Sequence, residues 1–327
     1  MGKMNKVGET PNPGRWGQIR AIFKYEILWN LRKKKVLAMF IIAIVLTSLD
    51  LLFPALWGEG GPNPNFLIEN LGPGSFIMIL LAVTVAMSSI SGEFEEKTII
   101  PLASKPVSRK IIYFGKLLAM LTVLFIIYIV LDAYLLIGGR ILYGPQTGMT
   151  AVIIALPFIT TLSTAVWVGV TLLIGSATKS STIAAVGTIG LFFALGMIGG
   201  LVPVLTSASG QPLNYLPGSG ESGQASGDFI QGPTPENLSI NTGVDSLPRN
   251  FLLYSNDPTA QVTIREQRFS LENIENTQGP SPSVTIRTRT EQLSQVLTRS
   301  GIVALAYIIA LNLFSLTLFK RSEVTEG

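Results

Sequence analysis

Six stretches of this chain are too apolar, for too long, to belong to a small water-soluble domain. Crossing a bilayer takes about 20 consecutive, mostly apolar residues. Residues 36–57, 111–136, 151–177, 181–205 and 301–319 reach that length or nearly so, and 75–91, after a Gly72-Pro73-Gly74 break, makes a short sixth run. Composition agrees: of 327 residues, 48% are hydrophobic and 13% charged, against about 25% charged in an ordinary soluble domain. The first run begins too late and is too long to be a cleaved signal sequence. The expected fold is therefore an all-α polytopic membrane protein with six transmembrane helices.

The basic residues orient those helices. Arg32-Lys33-Lys34-Lys35 stands at the edge of the first run. Lys97, Lys105, Arg109 and Lys110 lie between the second and third, Lys179 between the fourth and fifth, and Lys320-Arg321 after the sixth. The short loops 58–74 and 137–150 carry only Arg140. Lysine and arginine collect in cytoplasmic loops, so both termini are expected in the cytoplasm of a cell-membrane protein. Residues 206–299 are then extracellular. The organisation reads as 1–35, a cytoplasmic N-terminus; 36–205, five helices with a cytoplasmic loop at 92–110; 206–299, an outer domain; and 300–327, the last helix with its tail. The net charge of +4 sits beside apolar runs rather than on a basic domain. That distribution points to membrane lipid as a partner and away from nucleic acid.

Two flanking segments have patterns of their own. Residues 15–35 place Trp16, Ile19, Phe23 and Ile27 at helical spacing beside Arg20 and Lys24, the pattern of a helix lying in the membrane interface. Glu26 and Asn30 intrude on that face, and a plain extension of the first span is the competing reading. In the outer segment, 207–235 is rich in Gly, Ser and Pro and reads as loop. Gln261-Val-Thr-Ile-Arg265 and Ser283-Val-Thr-Ile-Arg287 alternate apolar with polar residues, a two-strand signal. Arg265, Arg287 and Arg289 are expected on one solvent-facing surface. Asn237-Leu-Ser239 is an acceptor pattern for N-glycosylation where the organism has the machinery.

Two absences prune the chemistry. The chain has no His and no Cys, which removes imidazole bases, thiol nucleophiles, disulfides and the commonest metal ligands. No Gly-x-x-x-x-Gly-Lys-[Ser/Thr] phosphate loop occurs; Gly115-Lys116 lacks the earlier glycine and is followed by Leu117. No catalytic constellation and no metal site emerge.

The most informative stretch is Gly92-Glu-Phe-Glu-Glu-Lys-Thr-Ile-Ile-Pro-Leu-Ala-Ser-Lys-Pro-Val-Ser-Arg109, which runs on to Gly115-Lys116. It resembles the loop between spans two and three of ABC-2 type permeases, the membrane subunits of ATP-binding-cassette transporters. Gly175-Ser-Ala-Thr-Lys-Ser-Ser181 resembles the short loop of that family between spans four and five. Lys97 stands where the family often has Gly, and Ala103 interrupts its usual leucine pair. The resemblance implies a permease, export rather than import, separate ATPase subunits that carry ATP and Mg, and a second permease copy or paralogue. This chain itself would hold no cofactor. The resemblance also implies an ATPase-coupling segment of Glu93, Phe94, Glu95, Glu96, Lys97, Thr98, Pro101, Pro106 and Arg109, its carboxylates offered to a partner's Arg or Lys. An ion-coupled carrier, or a scaffold for the outer segment, is the alternative function.

Candidate path residues are fewer. Asp50 and Asp132 stand near the outer ends of their spans, as transport groups or as wet interfacial ones. Thr160, Thr161 and Thr164 either line a path or bond their own backbone. Gly196 and Gly200, at a Gly-x-x-x-Gly spacing, suit close helix packing or a groove.

Overall fold

The computed structural model describes residues 14–56, 66, 74–96, 108–146, 152–206, 213–220, 222–226, 238–272 and 281–321. Lys97, Thr98, Pro101, Pro106 and Asn237 lie outside them.

Among the described residues, six helices are long and apolar enough to cross a membrane. A first helix, α1 (Arg15–Arg32), precedes span one, α2 (Lys34–Leu56), and an extended Lys33 (φ −68°, ψ 117°) divides the two. The N-terminal segment is therefore a helix of its own rather than a continuation of span one. Span two is interrupted: α3 (Ser75–Ala86) ends in a turn, and a five-residue helix, α4 (Ser91–Glu95), follows it. At about 1.5 Å per residue, the 12 residues of α3 cannot cross a hydrocarbon core of about 30 Å. The turn and α4 complete the crossing, which runs from Phe76 to Glu95.

Span three, α5 (Arg109–Tyr143), starts at Ser108, whose hydroxyl accepts from the Ile111 amide. Its 35 residues outrun the expected 111–136 because Ile137 to Tyr143 keep helical geometry past the apolar run. Spans four and five are α6 (Val152–Thr178) and α7 (Ser181–Thr206), joined by a turn at Lys179. Span six belongs to α9 (Leu293–Arg321), which begins eight residues before the expected 301. Its first turns, Ser294 to Ser300, are helical but polar, so hydropathy does not register them.

Between α7 and α9 lies a small cap whose described residues include one helix, α8 (Leu247–Asn256), and two 3-10 turns. The sequence signalled two strands; the described residues hold four, in the order β2-β1-β3-β4 and antiparallel throughout. They are β1 (Ser222–Ser226), β2 (Leu238–Asn241), β3 (Gln261–Glu272) and β4 (Ser281–Gln292). Strand β1 falls inside the stretch read as loop. In the β3–β4 ladder, Arg289 pairs with Ile264 and Arg287 with Glu266, whereas Arg265 pairs with Thr288. Directly paired residues share a face, so Arg265 occupies the opposite phase from Arg287 and Arg289, not a common surface. Strand β4 runs straight into α9, and the Leu293 amide bonds the Ala260 carbonyl. The hairpin therefore continues span six.

Spans two and four form the centre of the bundle, with 67% and 72% of their apolar windows buried, while span five shows all but 11% of its own. Trp167, Tyr113, Tyr128 and Met120 are among the largest side chains fully enclosed there. At one end stand α1, α4, the α6–α7 turn and the last residues of α9; at the other stands the cap.

Candidate functional site: the elbow between spans two and three

The elbow is built around a lysine inside the bundle. Lys116 lies two turns into α5 with its side chain 6% exposed. An ammonium has three N–H donors, and all three are used. Glu26 Oε2 on α1 is at 3.0 Å, Glu93 Oε1 on α4 at 2.9 Å, and the Ser89 carbonyl in the span-two turn at 3.0 Å. Ser89 returns its hydroxyl to Glu26 Oε1 at 3.1 Å. Thus Glu26 and Asn30, which appeared to spoil the apolar face of α1, are the residues that point into the protein. The Asn30 amide donates to the Glu26 carbonyl one turn back at 3.1 Å.

Gly115 explains how α1 comes so near. A Cβ at that position would lie 2.9 Å from Ile22 Cγ2, too close for any side chain. The Gly115-Lys116 pair therefore does two jobs in sequence order: the glycine admits α1, and the lysine binds it. Lys33, at the α1–α2 break, donates to Ser88 Oγ at 3.0 Å. Burial lowers its pKa to about 8, opposed by the attraction of Glu26. The Lys33 ammonium therefore loses its proton in the mildly alkaline range rather than near 10.5.

Glu95 is held by a different element. Its Oε1 accepts from the Ser181 amide at 2.8 Å and from Ser180 Oγ at 3.0 Å, and its Oε2 accepts from Ser181 Oγ. It thereby caps the N-terminus of span five, where unpaired amides and the helix dipole favour a carboxylate. Phe94, between the two glutamates, meets Phe319 of span six edge-on at 6.2 Å, and Lys179 Nζ lies 5.6 Å from its ring centre. Arg109 donates to the Phe319 and Lys320 carbonyls at 3.3 and 2.8 Å, close to the end of α9.

These contacts add to the sequence reading. The carboxylates of Glu93 and Glu95 and the guanidinium of Arg109 are engaged by this chain's own groups, because α4 is tucked against the bundle. Glu95 and Glu96 are both exposed, and of the acidic trio Glu96 alone has no such contact among the described residues. Sequence reasoning missed Glu26, Ser89 and the pairing role of Lys116. The signal was present as unlike charges on two apolar elements, one on α1 and one within span three.

The cap is fixed to the bundle by a second polar cluster. Asp245 accepts from Trp167 Nε1 of span four at 2.8 Å and from the Gly218 amide at 2.7 Å. Burial pushes its carboxyl above the usual range, and the two donors partly offset that shift. Ser163 of span four donates to the Val244 carbonyl at 2.9 Å, and Ser300 of α9 donates to that of Thr242 at 2.6 Å. Two glycines of span five, Gly196 and Gly199, serve this docking. A Cβ on Gly199 would lie 2.5 Å from that of Ser219, and Gly196 faces the Gly218 carbonyl. Within the chain, Gly196 thus packs on the cap rather than on another helix. Gly200 lies on α7 one turn further along.

Of the path candidates, Asp50 is exposed on span one. Asp132 is 2% exposed and sealed between helices, not at a wet outer end, because α5 continues for eleven residues beyond it. Thr160, Thr161 and Thr164 are buried on span four, each hydroxyl bonded to the backbone four residues earlier.

Six apolar helices, an elbow that ties four of the other helical elements together and a folded insertion between spans five and six define a multi-pass membrane protein of a transport family. The chain matches the family described as ABC-2 family transporter protein over residues 20–324, and it belongs to that family. No curated protein matches it.

Proposed function

We propose that this chain is the permease subunit of an ATP-driven exporter. It pairs with a second permease, and its elbow converts hydrolysis by a separate ATPase into movement of the spans. The observation that carries this reading is the wiring of α4. Within five residues it is joined to α1 and span three through Glu93, to span six through Phe94, and to span five through Glu95. A push on so short a helix reaches four other elements at once. The family works with an ATPase subunit in general, and this sequence has no phosphate loop of its own. The family also favours this reading over an ion-coupled carrier or a scaffold. A second permease copy would cover part of the apolar surface that span five exposes, including Val186, Phe193 and Met197.

The elbow end is assigned to the cytoplasm because the lysines cluster there. Reporters fused near residue 10 and at residue 320 should both read cytoplasmic, and one at residue 240 should read outside. A cytoplasmic signal at 240 would reverse the assignment.

The central test is co-purification. Expressed with the ATPase encoded beside it, the tagged chain should bring that ATPase down in a complex with two permease chains. ATP hydrolysis in that complex should respond to substrate. A chain that purifies alone in every detergent and nanodisc, with no ATPase retained, would overturn the proposal.

A further inference from the structure

Where spans three and four face each other, the bundle encloses a carboxyl group that nothing in the described residues satisfies. Asp132 is 2% exposed, and neither of its carboxyl oxygens has a hydrogen-bond partner. Acidic side chains inside a membrane bundle are costly, and they ordinarily pair or mark a transport path. This one has no pair.

Its surroundings define what could pair with it. One turn along α5 toward the elbow, the Tyr128 hydroxyl meets Thr164 Oγ1 of span four at 2.7 Å. Spans three and four are consecutive and antiparallel, so one turn toward the cap brings Asp132 level with Thr160 and Thr161. The hydroxyl hydrogens at these levels are all committed. Thr160 donates to the Leu156 carbonyl at 2.9 Å, Thr161 to that of Pro157 at 2.7 Å, and Thr164 to that of Thr160 at 2.8 Å. With Thr164 donating to backbone, Tyr128 must donate to Thr164. The nearby Trp167 N–H is taken by Asp245. Once Asp132 is ionised, what remains is a carboxylate and a set of oxygen lone pairs, with no free hydrogen at these levels among the described residues. A polar lining made only of acceptors is complementary to positive charge.

We propose that Asp132, with Thr160 and Thr161, recognises the cationic group of the transported molecule, and that the substrate class is an amphiphilic organic cation. This rests on the reading of the chain as a transporter subunit and names what that subunit carries. A hard metal cation such as Ca²⁺ takes about six to eight oxygen ligands, more than one carboxylate and a few hydroxyls on two helices supply. An ammonium or phosphonium centre needs one counter-charge and an apolar, partly aromatic surround, which Tyr128 and the neighbouring aliphatic side chains provide. The side chain is enclosed in this conformation, so the site loads when spans three and four part and closes when they meet.

The test uses the full chain alone, in nanodiscs of zwitterionic lipid, with tetraphenylphosphonium as the probe and tetraphenylborate as its anion of matched shape. The cation should bind saturably and the anion should not. Asp132→Asn keeps the side chain's shape and loses no hydrogen bond, so its thermal unfolding should match the parent's while cation affinity drops by about tenfold or more. Thr160→Val should weaken the cation by a smaller factor. Absence of saturable cation binding, equal binding by Asp132→Asn, or equal binding of the anion would each overturn the proposal and leave Asp132 as a buried neutral acid. No ATPase takes part, so this result is separate from the co-purification that tests the subunit reading.

Discussion

Replacing Lys116 with methionine should destabilise the protein by about 3–5 kcal/mol, the usual cost of removing one partner from a buried ion pair. The Lys116 side chain is 6% exposed, that of Glu26 3% and that of Glu93 20%. Without the ammonium, two carboxylates from different elements are left together with no counter-charge between them. Water reaches Glu93 only in part and Glu26 hardly at all, and the Ser89 carbonyl loses its donor as well. A single extended residue joins α1 to span one, so α1 has little covalent restraint once the lysine is gone. It should come away first, seen as faster hydrogen exchange over 15–32 and a lower unfolding midpoint in nanodiscs. The triple variant Glu26→Gln, Glu93→Gln, Lys116→Met removes all three charges and should recover most of the loss, since neutral replacement of a whole buried ionic set is often tolerated. A Lys116→Met protein that unfolds like its parent would show that the triad carries no stability.

The cluster's pairing was not legible in the sequence, and the reason is range. Apolar runs are local signals, so spans one, three, four, five and six were legible from about 20 residues each. Their ends were not, because a helix can outlast its hydropathy. The polar turns of α9 before residue 301 and the tail of α5 after 136 are held by helical hydrogen bonds and packing, not by lipid. In the cap, β3 and β4 were visible from alternating Val, Thr and Ile. Strand β1 was hidden because Ser-Gly-Gln-Ala-Ser has little intrinsic strand preference. It is a strand because β2 and β3 pair with it on both sides. The same holds for the elbow. Its motif was recognisable, yet Lys116 is separated from Glu26 by 90 positions and Ser181 from Glu95 by 86. An acidic run therefore read only as a surface offered to a partner, and the bonds that two of its three carboxylates make within the chain stayed hidden.

Separating those bonds from the docking surface gives the last prediction. Glu95→Lys and Glu96→Lys change adjacent residues by the same charge and should fail in different ways. At 95 the substitution removes the acceptor of two Ser181 donors and the Ser180 hydroxyl, and it sets an ammonium against the N-terminus of span five. Like charge at a helix N-terminus is unfavourable, so α4 and span five should part. The proposed ATPase should still bind, because nothing facing it has changed. Hydrolysis should continue while transport per ATP falls by about 5- to 150-fold, the range that corresponds to about 1–3 kcal/mol of coupling energy. At 96 the carboxylate is exposed and makes no hydrogen bond or ion pair among the described residues, so its reversal should leave the bundle intact and weaken ATPase association. A charge pair desolvated at such an interface costs about 2–5 kcal/mol when one partner is lost, and a rim pair much less. Glu272→Lys, in the cap at the far end, is the control and should alter neither property. Co-purification and a transport-to-hydrolysis ratio in proteoliposomes separate the outcomes. If Glu95→Lys loses the ATPase while Glu96→Lys keeps it, the roles are reversed and α4 docks through the face now drawn toward span five. If both variants transport normally, α4 neither docks nor transmits, and the coupling route lies elsewhere in the chain.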